Sequence, residues 1–315
     1  MDIRTALKQG IARLRAAHVP SHTLAAELLL LHVLQRDRTW LYAHAEEPLL
    51  ESQAHRFLHF IERRAAGEPV QHLTGKQEFW GLQFEVSPDV LIPRPETEHL
   101  VEVALDRLAL RELRAGRSNK SGGAGLLIAD IGTGSGCIAI ALATELPHAQ
   151  FIASDISPEA LAVAKRNAAR HNVSSRIRFL HCSLLEGAAS AAPQVPDSPI
   201  VARQARVVRQ QSLSLDLIAS NPPYIGRREA DTLAPEVRRH EPELALFGGE
   251  EGYEFYAGLI AEAAHYLKSG GLLVLELGHN SLPAVRPLLD ERLWTNIAVT
   301  QDLAGIDRVL AAERI

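Results

Sequence analysis

The chain predicts an α/β fold: a doubly wound, seven-stranded, mostly parallel sheet, preceded by a small N-terminal helical bundle and a linking β-hairpin. Three observations predict it. From about Leu126 onward, short apolar runs alternate with helical stretches. The first of these runs leads straight into glycines, as a strand does where an α/β sheet holds a ligand. Up to about Gly67, by contrast, apolar residues recur at helical spacing.

In the N-terminal part, Leu7, Ile11 and Leu14 share one helical face. Leu24, Leu28 and Leu31 repeat the spacing after Pro20-Ser21, a start signal, and Phe57, Leu58 and Ile61 give a third segment. Each is too short to stand alone, so the helices are expected to pack together. Composition changes at Gly67-Glu68-Pro69. Leu82, Phe84 and Val86 then alternate with Gln83 and Glu85, a half-buried strand with Gly81 supplying the turn before it. Residues 1–75 are assigned to the bundle, 76–92 to the hairpin and 93–315 to the sheet domain.

Leu126–Ile131, Phe151–Ile156, Ile177–Cys182, Leu215–Ser220 and Gly271–Leu277 read as strands buried on both faces. Ser157-Pro158 suits an N-cap and first turn, with Leu161, Ala164 and Ala168 on the inner face of the helix that follows. Ile297–Val299 and Arg308–Ala312 are expected to add two edge strands. Two stretches break the rhythm. Arg111–Gly125 reads as a flexible linker, and Ala188–Ser214, rich in Ala, Gln, Pro and Ser, as a surface insertion.

The 315 residues are 46% hydrophobic, enough for a large core, and the formal net charge is −5. That balance argues against a broad basic face and a stable nucleic-acid partner. Only Cys137 and Cys182 occur, so no disulfide framework exists and a reducing compartment fits. No apolar run approaches the roughly 18 residues of a membrane span. A cytoplasmic monomer is expected. The 14 histidines carry no metal signature. His55 and His59 lack the glutamate of H-E-x-x-H, Pro20 separates His18 from His22, and no C-x-x-C occurs.

Asp130-Ile131-Gly132-Thr133-Gly134-Ser135-Gly136 closes the first buried strand and opens a helix. Glycines there let the backbone approach a ligand. The spacing is G-x-G-x-G, not the G-x-G-x-x-G of a dinucleotide site. A further acid, Asp155, ends the second strand about 20 residues on, placed to bind a ribose diol. Asp130 is a candidate neighbour for an ammonium group. Acidic surroundings suit a sulfonium donor with an ammonium group better than a pyrophosphate. A nicotinamide cofactor remains the alternative from these residues alone.

Asn221-Pro222-Pro223-Tyr224 follows the fourth strand, at the same sheet edge as the glycine loop. In an arbitrary chain this would be a rigid turn. Beside a glycine loop it suits alkylation of a planar nitrogen, whose lone pair is delocalised and attacks poorly. Two fixed acceptors, the Asn221 side-chain oxygen and the Pro222 carbonyl, can hold its N–H groups. Proline's locked φ keeps the carbonyls aimed, and Tyr224 can pack on the amide plane. The work is positioning and electrostatic preorganisation, without a strong base or a metal.

These residues resemble the release factor glutamine methyltransferases (the PrmC/HemK family), class I methyltransferases with a Rossmann-like fold. The likeness runs through Gly67-Glu68-Pro69-Val70, Glu78-Phe79-Trp80-Gly81-Leu82 and Leu91-Ile92-Pro93-Arg94-Pro95-Glu96-Thr97-Glu98. It continues through Asp130–Gly136, Asn221–Tyr224, Glu241–Gly252 and Asp302-Leu303-Ala304-Gly305-Ile306-Asp307-Arg308. The resemblance implies methylation, from S-adenosyl-L-methionine, of the glutamine N5 in the Gly-Gly-Gln motif of class 1 peptide chain release factors. It implies that Gly132–Gly136, Asp155, Ile156 and Asn221 contact the donor. Asn221–Tyr224 and Arg94 would hold the glutamine, and the N-terminal bundle would help dock the release factor. Ser183-Leu184 stands where the family often has an acidic residue and an aromatic near the adenine. Glu250-Glu251-Gly252-Tyr253 also departs from the usual Asp-Gly-Leu, and the 188–214 insertion has no obvious counterpart. The rival reading is a DNA or RNA amino methyltransferase using the same loop.

Overall fold

Residues 1–114, 123, 125–186 and 213–315 are described in a computed structural model of the protein. The chain divides into two compact units. The first is Met1–Gln77 with Val86–Pro88 and Leu233–Glu241. The second is Glu78–Glu85 with Asp89–Thr232 and Pro242–Ile315.

In the first unit, helices α1 (Ile3–Ala16), α2 (His22–Leu34), α3 (Arg38–Ala43), α4 (Glu51–Ala65) and α5 (Val70–Thr74) surround one apolar core. Asp2 caps α1, its Oδ1 accepting from the Thr5 N–H at 2.6 Å, and Asp37 caps α3 through the Trp40 N–H at 2.7 Å. Gly10 lets α1 meet α4: a Cβ there would stand 2.6 Å from Phe57 Cζ. The leucine run of α2 misleads about its phase. Leu24 and Leu28 are exposed, and Ala25, Ala26, Leu29, Leu30 and Val33 fill the core. A helix apolar on most sides does not reveal its inner face by spacing. Leu58 of α4 is likewise exposed, while Phe57 and Ile61 are buried. The short helix Pro235–His240 belongs to this unit as well, and its Glu236 accepts from the buried Arg64 at 2.6 Å.

A β-hairpin pairs β1 (Lys76–Phe79) with β2 (Leu82–Glu85). Both turn residues take positive φ, Trp80 at 54° and Gly81 at 67°, the backbone of a two-residue hairpin loop.

The second unit is built on a seven-stranded sheet. Its strands are β3 (Leu127–Ile131), β4 (Gln150–Asp155), β5 (Ile177–His181), β6 (Leu215–Ser220), β9 (Leu267–Glu276), β10 (Trp294–Gln301) and β11 (Asp307–Arg314). Their order is β10-β11-β9-β6-β3-β4-β5. β11 runs antiparallel to both neighbours, and the other neighbouring pairs are parallel. Only β10 of the two C-terminal strands is an edge; β11 is inserted between it and β9. Short strands β7 (Ile225–Gly226) and β8 (Phe247–Gly249) form a separate pair.

Alternate residues of the central strands feed two cores. Ile128, Leu217 and Val274 face one with helices α6 (Glu98–Arg114), α7 (Cys137–Glu145) and α8 (Pro158–Arg170). Ala129, Ile218 and Leu275 face the other with the helix Glu254–Tyr266. Covering both faces is what makes the strands apolar throughout. α6 runs on through Arg114, so residues 111–114 are helix rather than linker. Arg111 and Lys268 pair with the buried Asp216 at 2.5 and 2.8 Å. The remainder of the expected linker apart from Gly123 and Gly125, and residues 188–212 of the expected insertion, lie outside the described residues. Among the described residues, no helix is long and apolar enough to cross a membrane.

Candidate active site

The sheet reverses its winding between β3 and β6, where ligands bind in open α/β sheets. Both candidate loops leave the carboxyl ends of these two strands. Ser220 Oγ donates to the Ile131 carbonyl at 2.7 Å, so the residues that follow, Asn221 and Gly132, start side by side.

The glycine loop is held from below. Gly132 N–H and Thr133 N–H both donate to the Ser154 carbonyl of β4 at 2.9 Å. Gly132, Gly134 and Gly136 take φ of 70°, 54° and 84°. A Cβ at Gly132 or Gly134 would meet no atom within 4 Å, whereas one at Gly136 would press on Ile140 and Ala164. The first two glycines therefore face open space and the third allows helix packing. Asn167, fully buried on α8, joins the loop to the hairpin: its Nδ2 donates to the carbonyls of Ser135 at 2.9 Å and Glu85 at 3.0 Å.

Asp130 is fully buried beneath this loop. Its Oδ2 accepts from Thr133 Oγ1 at 2.6 Å and from the Ala139 N–H at 3.1 Å, and its Oδ1 has no partner among the described residues. Burial pushes its pKa up to about 7. Asp130 thus braces the loop. Asp155 lies at its rim, with Oδ2 accepting from Gly134 N–H at 2.8 Å and Oδ1 from Ser157 N–H at 2.9 Å. Each oxygen keeps a lone pair for a hydroxyl. Burial raises its pKa, against the backbone N–H bonds that favour the charge. Ile156, next to it, is 56% exposed. Ser183 is half-buried, and Leu184, at φ 50°, packs on the second core. Burial pushes the Cys137 thiol up to about 12, which suits packing and not attack.

Asn221 is fixed on one side only. Its Nδ2 donates to Thr97 Oγ1 at 3.1 Å, while its Oδ1 is buried with no partner among the described residues. Thr97 Oγ1 in turn donates to Glu276 Oε2 at 2.6 Å, and Tyr224 OH donates to Glu276 Oε1 at 3.3 Å. Burial pushes Glu276 up to about 7, opposed by Thr97, Arg308 and Tyr224. It also raises Tyr224 strongly, with the Glu276 charge adding to the shift and the charges of Arg308 and Arg94 opposing it. Arg94 is half-buried, just before the turn Pro95–Thr97. Arg308 spans Asp302 Oδ2 at 3.0 Å and the Leu277 carbonyl at 3.3 Å.

The loop backbone is packed tightly against glycines. A Cβ at Gly248 would stand 2.2 Å from the Pro223 carbonyl oxygen, and one at Gly252 would stand 2.4 Å from that of Tyr224. Glu254 steadies this wall through the Glu251 and Gly252 N–H groups, both at 2.9 Å. Sequence reasoning gave no site role to Thr97, Glu276, Asn167 or Gly248, though Thr97 and Gly248 lie in stretches that carry the family likeness. Glu276 had a signal: it is a lone carboxylate in the apolar run Leu272–Leu277.

This arrangement fits S-adenosyl-L-methionine. Open space over Gly132 and Gly134 can take its methionine part, and Asp155 can take ribose hydroxyls. Among the described residues no group of three or more His, Cys, Asp or Glu gathers as metal ligands would.

The family described as PrmC N-terminal domain matches residues 5–75, and that described as Methyltransferase domain matches residues 128–237. A release factor glutamine methyltransferase of Koribacter versatilis is 39% identical, over 100% of this chain and 99% of its own length. One from Moorella thermoacetica is 40% identical over 100% and 99%, and one from Chlorobaculum tepidum 40% over 97% and 95%. With identity at this level sustained from end to end, the chain belongs to the release factor glutamine methyltransferase family.

Proposed function

We propose that the chain transfers the methyl group of S-adenosyl-L-methionine to N5 of the glutamine in the Gly-Gly-Gln motif of class 1 peptide chain release factors. The observation that carries this reading is the buried Oδ1 of Asn221, which has no partner among the described residues. An acceptor buried without a donor is costly, about 1–3 kcal/mol, and a substrate amide N–H removes that cost. The Pro222 carbonyl takes the second N–H, and Tyr224 covers the amide plane. When bound, the donor supplies an electrophilic methyl carbon. Held by two acceptors, the amide nitrogen presents its lone pair to that carbon, and the N–H acidity gained on alkylation lets the product shed a proton afterwards. Asp130, Gly132–Gly136, Asp155, Ile156, Ser183 and Leu184 form the donor side, with exposed Ile156 supporting the adenine. Arg94 assists on the acceptor side.

In this reading residues 1–75 dock the release factor, 76–92 link, and 93–315 carry out the transfer. The exposed Leu24 and Leu28 of α2 support a protein-binding role for the bundle. The enzyme acts in the cytoplasm, as a monomer, without a stable nucleic-acid partner; the net charge of −5 supports the last point. Nothing in the site favours the DNA or RNA alternative.

The test is transfer of labelled methyl from S-adenosylmethionine. A release factor should be labelled, its Gly-Gly-Gln variant with Gln→Ala should not, and peptide mass spectrometry should place the mass on that glutamine. Label on nucleic acid with an untouched release factor would refute the reading.

A further inference from the structure

Glu276 touches neither proposed substrate group, yet it sits where both catalytic-loop side chains are anchored. It is 1% exposed, the last residue of β9, in a run of leucine and valine. A carboxylate is retained in such a place when its oxygens have defined partners. Here each oxygen has one: Thr97 Oγ1 on Oε2 and Tyr224 OH on Oε1. The carboxylate is acceptor-only once ionised, the form it takes above about pH 7, and in that form it decides the direction of everything beyond it. Thr97 has a single hydroxyl proton, and it goes to Glu276. The Thr97 oxygen is then left as an acceptor, and the Asn221 group that satisfies an acceptor is Nδ2, at 3.1 Å. An amide with its nitrogen turned to Thr97 must turn its oxygen away.

We propose that Glu276, acting through Thr97, is a positioning residue that fixes the side-chain amide of Asn221 with its oxygen available to the substrate amide. This rests on the reading of Asn221 as the acceptor of a glutamine N–H. An inverted Asn221 would offer N–H to N–H and oppose the hydroxyl lone pair at Thr97. The same carboxylate orders the Tyr224 hydroxyl, so one buried group sets both side chains of the loop. The polarity of the chain also selects against a carboxylic acid substrate, which has no N–H to give to Asn221 Oδ1.

Thr97→Val keeps the shape and removes the hydroxyl, Thr97→Ser keeps the hydroxyl, and Glu276→Gln can turn either oxygen or nitrogen toward Thr97. Relative to wild type, kcat/KM for the release factor should fall at least ~10-fold in Thr97→Val, with the Kd for S-adenosylmethionine changed by less than about twofold. Thr97→Ser should restore most of the loss. Glu276→Gln should fall as well, and the double variant Thr97→Val/Glu276→Gln should be no worse than about the poorer single variant, since both act through one chain. Without any substrate, solvent exchange of the Asn221 side-chain NH2, followed by NMR, should be slow in wild type, faster in Thr97→Val and slow again in Thr97→Ser. Unchanged exchange in Thr97→Val, equal losses in the Val and Ser variants, or multiplicative losses in the double variant would overturn the proposal. Wild-type enzyme that leaves the Gly-Gly-Gln glutamine unmodified would count against the proposed function instead, and the exchange measurement would still decide the orientation of Asn221.

Discussion

Ser220 Oγ donates to the Ile131 carbonyl at 2.7 Å, tying together the two strands that deliver the glycine loop and the Asn221–Tyr224 loop. Ser220 is fully buried, so the bond is shielded from water. Ser220→Ala should cost about 1 kcal/mol of stability, the usual worth of such a bond. Turnover should drop more than that, by roughly 10-fold, because a small shift between reacting groups is expensive. Urea unfolding and steady-state kinetics on the same preparations check the two parts; a loss in stability with full turnover would show that the tie serves folding alone.

Asn221→Ala removes the acceptor that Thr97 orients. The expected result is a kcat lower by about 100- to 1000-fold, the range for losing one preorganised polar contact at a reacting group. Donor affinity, read by calorimetry, should change by only a few-fold, since the glycine loop and Asp155 remain. Wild-type rates in this variant would remove Asn221 from the mechanism.

Asp155 carries two duties at once, shaping the loop through Gly134 and Ser157 and offering lone pairs at the rim. Asp155→Asn keeps the size and loses the charge. Its nitrogen would also face an N–H wherever the wild-type oxygen accepts one. Affinity for S-adenosylmethionine should weaken about 10- to 100-fold, matching one or two lost hydrogen bonds to a charged group. Calorimetric titration with the donor alone reads this without the release factor, and unchanged affinity would place the ribose elsewhere.

Gly134→Ala and Gly248→Ala should separate the two halves of the site. At Gly134 an added Cβ meets no protein atom and enters the donor's space, with a left-handed φ adding about 1 kcal/mol of strain. At Gly248 the Cβ falls 2.2 Å from the Pro223 oxygen and must displace the acceptor loop. Gly134→Ala should therefore lose donor binding, and Gly248→Ala should keep donor binding and lose turnover. The reverse pattern, or the same pattern in both, would mean that the loops are not divided in this way.

Much of this was readable in the chain because the relevant signals are local. The strand runs and the Ser157-Pro158 cap each depend on a few consecutive residues, and the structure bears them out. What escaped was long-range or cyclically ambiguous. Thr97 and Glu276 are 179 positions apart and meet only because β9 and the turn before α6 converge. Trp80 and Glu98 come from separate segments of the chain, and the bond from the Trp80 backbone N–H to Glu98 Oε1, at 2.8 Å, shows that the Glu98 side chain holds the hairpin turn. The inner face of α2 could not be read because leucines occupy most of its circumference. The order of the last two strands was missed in part, since apolar spacing does not say which strand is inserted and which is the edge.

Glu276 should also leave a mark on the pH dependence of stability. Burial raises its pKa from 4.5 to about 7 in the folded protein. Between those values the native state holds a proton that the unfolded chain has released, so this group's contribution to stability falls as pH rises and is lost above about 7. At about 1.4 kcal/mol per pKa unit the change is on the order of 3 kcal/mol. Asp130 acts in the same direction, with its pKa also raised to about 7. Asp216 acts oppositely: burial pushes its pKa up, but bonds from Lys268, the Leu127 N–H and Arg111 bring it below the usual carboxylate value. Comparing wild type with Glu276→Gln cancels those contributions. Urea unfolding at pH 5 and pH 8 should show wild type losing more stability than the variant over that interval. Equal losses in the two proteins would mean that Glu276 stays ionised in the core throughout, held by Thr97, Arg308 and Tyr224 more firmly than its burial disfavours it.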